Sequence, residues 1–114
     1  MKVKLLFLAL VTLCRPLYAD EVTYERDIRP LLAAKCSACH GAIKQEAGLR
    51  VDAGKLIHRG SDNGDVLDLE EPQQSLLLER VTSDDVDLSM PHEGEGARLK
   101  PDQIRLLSLW ISSG

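Results

Sequence analysis

Apolar side chains recur with helical spacing in three stretches of the chain. In the first, Tyr24, Ile28, Leu31, Leu32 and the aliphatic stem of Lys35 fall close to a period of 3.6, with Thr23 placed to cap the helix they predict. Pro30 interrupts this pattern, which predicts a kink or the first turn of a second half. Further on, Pro72 opens a short predicted helix over Gln73–Val81, with Leu76, Leu77 and Leu78 on its buried side. The last stretch begins at Pro101 with Asp102 in its first turn, and puts Ile104, Leu107 and Ile111 on one face. Leu106, Leu109 and Trp110 flank that face, and Ser112-Ser113-Gly114 ends it.

The intervening chain has little periodicity. Glycines and polar clusters break up residues 41–72, leaving a short helix or extended piece around Leu49–Ile57, and residues 82–97 are polar and turn-rich. The pattern as a whole predicts three to four short helices joined by long loops, with almost no sheet. Loops of that length need something to organise them.

Ahead of the first helix, Met1–Lys4 carries two lysines and Leu5–Leu13 is an apolar run broken only by Thr12. Arg15-Pro16 ends the run, and Leu17-Tyr18-Ala19 offers a small residue before Asp20. This is the layout of a secretory signal peptide over residues 1–19, with the mature domain over 20–114. Nine residues of apolar run fall well short of the ~20 that span a bilayer as a helix, and no second apolar segment follows. Cys14 raises the alternative of a lipidated cysteine, against which the bulky Leu13 argues. The expected product is exported, to the periplasm where the cell has one, and carries no membrane span.

Charge sharpens this picture. The whole chain has a net charge of −4, and losing Lys2, Lys4 and Arg15 with the signal leaves 11 basic and 18 acidic residues, a net charge of −7. Such a chain repels a phosphate backbone, so nucleic acid is excluded as a partner. Aromatic residues are scarce: one Trp, two Tyr and one Phe, of which only Tyr24 and Trp110 lie beyond residue 19. Aromatic side chains dominate the buried area of most cores. Either aliphatic residues suffice here, or a group that is not an amino acid fills the middle.

Cys36-Ser37-Ala38-Cys39-His40 identifies that group. C-x-x-C-H is the attachment site of c-type haem. Two thiols one helical turn apart can add to the two vinyl groups of one porphyrin, and the following imidazole then reaches the iron as axial ligand. Three other readings compete. A Cys36–Cys39 disulfide leaves His40 unexplained. A thioredoxin-like site needs a preceding strand where a helix is predicted. A zinc site would draw on Cys36, Cys39 and two of His40, His58 and His92, at spacings that match no common zinc module.

A haem iron in an electron carrier has a sixth ligand. Met90 is the only methionine left after Met1 is removed, and it sits in a turn, Asp87-Leu88-Ser89-Met90-Pro91, with no core helix to pack into. It is the first candidate, followed by His92 and His58; a thioether raises the reduction potential relative to a second histidine. The acceptor for the second ring nitrogen of His40 is left open, because no proline lies between His40 and Pro72. Arg50 or Arg98 could pair with a haem propionate, although solvated surface arginine accounts for each equally. Asp62-Asn63-Gly64-Asp65 has Gln73 where a calcium loop needs Glu, and reads as a turn. Asp84, Asp85, Asp87, Glu93 and Glu95 flank Met90 and could form a docking rim for a basic redox partner.

Tyr24-Glu25-Arg26-Asp27-Ile28-Arg29-Pro30-Leu31-Leu32 followed by Lys35-Cys36-Ser37-Ala38-Cys39-His40-Gly41 resembles the opening of planctomycete-type cytochrome c domains. The resemblance continues through Gly48-Leu49-Arg50-Val51-Asp52, Ser75-Leu76-Leu77, Met90-Pro91 and Leu106-Leu109-Trp110-Ile111. It implies the small all-α cytochrome c fold wrapped around one haem c, covalent through Cys36 and Cys39, with His40 and Met90 as axial ligands. The chain departs from the family pattern at Arg59-Gly60, Leu69-Glu70 and His92. The expected function is single-electron transfer, as a soluble carrier or an electron-transfer subunit, with no bond chemistry of its own. The alternative is a haem enzyme or sensor whose sixth ligand gives way to peroxide or a diatomic gas.

Overall fold

The computed structural model describes residues 21–114. The predicted signal segment, with Cys14, lies outside them. Among the described residues four α-helices are joined by long loops: α1 over Arg29–Lys35, α2 over Gly54–Arg59, α3 over Leu76–Thr82 and α4 over Pro101–Ser113. Among the described residues there is no strand, only two isolated bridges, His40 with Gln45 and Ser61 with Gly64. No helix among them is long and apolar enough to cross a membrane.

The first predicted helix forms, with a different start. A turn of π-helix over Tyr24–Ile28 precedes α1, and Pro30 stands in the first turn of α1. Proline has no N–H to donate, so it is tolerated only where the helix begins. The Thr23 side chain does not cap this segment; its backbone N–H donates instead to Asp27 Oδ2 at 2.9 Å. The helix predicted over 73–81 divides. Pro72–Gln74 is a single 3-10 turn, Ser75 is extended (φ −57°, ψ 132°), and α3 starts at Leu76. Ser75 is almost fully buried, at 1% exposure, and its Oγ accepts the Asp68 N–H at 2.9 Å. The helical piece near Leu49–Ile57 is confined to α2, with a separate 3-10 turn over Glu46–Gly48.

Helix α4 matches its prediction closely. Leu107 and Ile111 are buried, Ile104, Leu106 and Trp110 pack partly buried against the core, and Leu109 faces solvent. The Lys100 N–H donates to Gln103 Oε1 at 2.8 Å and stabilises the helix start. The helix packs on the Tyr24–Ile28 turn, on Pro72–Gln74 and on α3, and a hydrogen bond from Gln73 Nε2 to Ser108 Oγ (2.7 Å) ties down the second of these contacts. The core is aliphatic, with Ile28, Leu32, Ile57, Leu107 and Ile111 almost wholly out of water. Tyr24 and Trp110 pack on each other with ring centroids 5.7 Å apart, where the first turn meets α4.

Candidate functional site

The C-x-x-C-H segment leaves the end of α1 as a chain of tight turns. Cys36 N–H and Ser37 N–H both donate to the Leu32 carbonyl, at 2.9 and 3.0 Å, and Cys39 N–H and His40 N–H both donate to the Cys36 carbonyl, at 3.2 and 2.9 Å. Gly41 is buried directly after His40, and a Cβ there would run into the Ser37 carbonyl oxygen. Only glycine lets the chain turn this closely over the motif.

Residues 41–49 then fold back on it. Gly41 N–H donates to the Lys44 carbonyl (2.7 Å), Glu46 N–H to the Cys39 carbonyl (2.9 Å), and Val51 N–H to the His40 carbonyl (2.9 Å). This return puts the Glu46 carbonyl 2.9 Å from His40 Nδ1. A carbonyl only accepts, so Nδ1 carries a proton, and in the neutral ring the lone pair is on Nε2. The acceptor that the sequence left open is therefore a main-chain oxygen six residues on. Its second lone pair takes the Leu49 N–H at 3.1 Å. The turn that delivers it holds Ala47 and Gly48 at positive φ, 54° and 66°, and a Cβ at Gly48 would also meet the Asp62 carboxylate.

His40 and Met90 line one cavity with almost wholly apolar walls. Leu32, Leu49, Val51, Leu76, Leu77 and Leu107 build most of the wall, with Cys36 at one edge. A second cleft shares Cys36, His40, Ala47 and Met90, and adds Cys39, Pro91 and His92. Cys36 and Cys39 are both free thiols, and burial pushes the Cys36 thiol up to about 11. The Met90 N–H donates to the Arg80 carbonyl at 2.8 Å, so α3 holds the methionine loop from within. Asp85 supports the same loop: its carboxylate accepts the Asp87 N–H (2.9 Å) and its carbonyl accepts the Leu88 and Ser89 N–H groups.

The remaining candidates separate by position. His58, exposed near the end of α2, lines neither cavity, while His92 is exposed and reaches only the second cleft. Among the described residues, no three His, Cys, Asp or Glu side chains gather as a metal-ion cluster, so the zinc reading finds no support. The sequence-stretch Asp62–Asp65 is a turn, closed by Gly64 N–H donating to the Ser61 carbonyl at 3.0 Å. Arg50 is committed to Asp52 through bonds of 3.0 and 2.6 Å, and Arg98 Nη2 donates to the Val81 carbonyl. Neither lines the cavity. The arginine that does is Arg80, which sequence reasoning passed over. Its signal was a cation at i+4 from Leu76 and i+3 from Leu77, on the apolar side of α3.

A family model for planctomycete cytochrome C matches residues 36–94, which is 59 of the 114 residues. The chain belongs to the planctomycete cytochrome C family. The match opens on Cys36 and takes in the motif, the returning loop, α2, α3 and the Met90 turn. Membership marks a haem-binding, electron-transfer type of domain, and Cys36 and Cys39 have the spacing that covalent haem c requires. No curated protein and no solved structure matches the chain.

Proposed function

We propose that the protein is an exported, periplasmic monohaem cytochrome c that passes single electrons through a His40/Met90-ligated iron, as a soluble carrier or an electron-transfer subunit. In this reading residues 1–19 are its secretory signal and residues 20–114 its one domain. One observation carries the proposal: His40, its Nδ1 fixed on the Glu46 carbonyl, and Met90 line the same apolar cavity as Cys36.

The residues present fit the group. Cys36 and Cys39 would each add S–H across a vinyl group, which attaches the porphyrin and releases nothing. Bound haem supplies a one-electron iron couple. The chain's residues set the conditions for that couple. His40 presents Nε2, with tautomer and ring orientation fixed by the Glu46 carbonyl. Met90 offers a soft thioether, which favours the ferrous state and raises the potential. Leu32, Leu49, Val51, Leu76, Leu77 and Leu107 exclude water and so limit the solvent reorganisation that accompanies electron transfer. Exposed Asp84, Asp85, Asp87, Glu93 and Glu95 around the Met90 loop would steer a basic redox partner. A transfer rate to such a partner that does not change with ionic strength would remove that role.

Optical spectroscopy of the purified protein tests the function. Haem that stays with the chain after denaturation, and the weak far-red band of a Met-ligated ferric iron, are expected. Met90→Ala should abolish the band; a six-coordinate ferric spectrum that lacks the band in the wild type and is unchanged in Met90→Ala moves the ligand to His92 or His58. Rapid carbon monoxide binding to the ferrous wild type, with no far-red band in the ferric form, would replace the carrier by an enzyme or sensor. Absence of covalent haem ends both readings.

A further inference from the structure

Two buried side-chain polar atoms among the described residues lack a hydrogen-bond partner: Tyr24 Oη, beside Trp110 and away from the cavity, and Arg80 Nε. The second is the more telling. Arg80 lines the apolar cavity together with Leu76, Leu77, His40 and Met90. Arg26, Arg29 and Arg50 are paired with carboxylates, and Arg98 with a carbonyl. Arg59 and Arg105 are exposed and keep their water. Among the described residues, Arg80 alone puts a guanidinium N–H where neither water nor a protein acceptor reaches it, and an unmet buried donor of a charged group is costly.

The walls of the cavity bring no remedy. Among the described residues no aspartate or glutamate lines it; Ser61 Oγ donates to the Gly64 carbonyl and accepts the Asn63 N–H, and the Asn63 side-chain amide, which also lines the cavity, makes no hydrogen bond to Arg80 Nε. With no wall group bonded to it, Arg80 Nε looks to the occupant for its acceptor. A porphyrin of the haem c type carries two carboxylates, and a guanidinium matches a carboxylate better than any other side chain does.

We propose that Arg80 is a positioning residue that binds a haem carboxylate through its Nε–H; this rests on the haem reading above. The backbone of the same residue holds the Met90 N–H at 2.8 Å. Arg80 thus ties the carboxylate edge of the porphyrin and the methionine loop to one point on α3, and sets where the edge lies relative to the sulfur. It also neutralises a negative charge that would otherwise favour ferric iron.

The experiment compares haem-loaded wild type, Arg80→Gln, Arg80→Lys and the control Arg105→Gln, an exposed position on α4. Resonance Raman spectra of the porphyrin carboxylate-bending mode and spectroelectrochemical potentials are the readouts. Arg80→Gln should shift the bending mode and move the iron equilibrium toward ferric by up to about tenfold, which is 59 mV for a one-electron couple. Arg80→Lys should keep the potential near wild type, since the charge stays, and still shift the mode, since the planar donor is gone. Arg105→Gln should change neither. An unchanged mode and potential in Arg80→Gln overturn the assignment. If that variant does not accumulate, an unchanged mode in Arg80→Lys does so. Covalent haem with an unchanged mode defeats only the role of Arg80, whereas a chain without covalent haem defeats the proposed function and this role together.

Discussion

Replacing Gly41 by alanine perturbs the haem motif without touching a ligand. Gly41 is buried and its φ lies outside the left-handed region, so alanine is conformationally allowed there and the penalty is steric. The added methyl group runs into the Ser37 carbonyl oxygen and comes within 3.3 Å of its carbon. These are backbone atoms in a turn pinned by the Cys39 and His40 N–H groups on the Cys36 carbonyl, at 3.2 and 2.9 Å. They cannot rotate away as a side-chain end would. Overpacking of this kind costs about 1–3 kcal/mol, partly offset by the roughly 0.4–1 kcal/mol that Gly→Ala gains by restricting the unfolded chain. The net loss of about 1–2 kcal/mol should lower the Tm of a domain this size by roughly 4–16 °C. A displaced turn also moves His40, so the ferric far-red band should weaken. Gly54→Ala is the matched control. It lies at the start of α2, where a methyl group would meet only the Tyr24 ring at 3.9–4.0 Å, an ordinary contact. That variant should melt at or slightly above the wild type. If Gly41→Ala melts like Gly54→Ala and keeps its band, the close approach at Ser37 does not constrain the motif.

Three further outcomes are expected. Leu107→Ala removes a side chain that is 1% exposed and shared by the core and the cavity wall, and should cost about 2–5 kcal/mol in a denaturant titration. The double variant Cys36→Ala/Cys39→Ala, unable to attach haem, should lose most helical circular dichroism and any cooperative melt; native helix content would contradict a core completed by porphyrin. The Arg50 guanidinium holds the Asp52 carboxyl below its usual 3.8, so the contribution of this half-buried pair is present above that pH and is lost as pH falls through the lowered value. The Tm difference between wild type and Asp52→Asn should therefore vanish on acidification, and a difference that persists at pH 2 would refute the pairing.

The elements legible in the sequence are those whose causes are local. Pro101 and the Ile104, Leu107, Ile111 spacing define α4 because the helix is amphipathic against a single core. The family was legible from Cys36, Cys39 and His40 because C-x-x-C-H is a fixed pattern on adjacent residues. The helix over 73–81 was misread as continuous because its break depends on distant partners. Ser75 Oγ serves the Asp68 N–H, and Leu77 N–H goes to the Val66 carbonyl at 3.0 Å. Thr23 has the composition of a cap, but a carboxylate four residues on, Asp27, takes its amide instead. The Glu46 carbonyl was invisible in principle, since every residue has one; only the positive φ at Ala47 and Gly48 and the return of the loop over the motif select it.

The scarcity of aromatic residues has a structural counterpart. The two aromatic side chains among the described residues pack on each other, on the side where the first turn meets α4, and neither lines the cavity. Leucine and valine from five different segments form the wall instead, converging from α1, the loop after the motif, the loop before α3, α3 itself and α4. Branched aliphatic side chains on separate segments make a slot that a large flat apolar body can fill, while bulky rings would close it. Polar groups enter this wall at few places. One is His40, already oriented by a carbonyl, and another is Arg80, whose Nε has no acceptor among the described residues. A mostly apolar wall whose few polar groups include an oriented imidazole and an unanswered guanidinium suits a body that is flat and apolar, binds a metal at its centre and carries an anion at its edge. Haem combines all four properties, so the proposed function gives the aromatic deficit and the orphan arginine one cause.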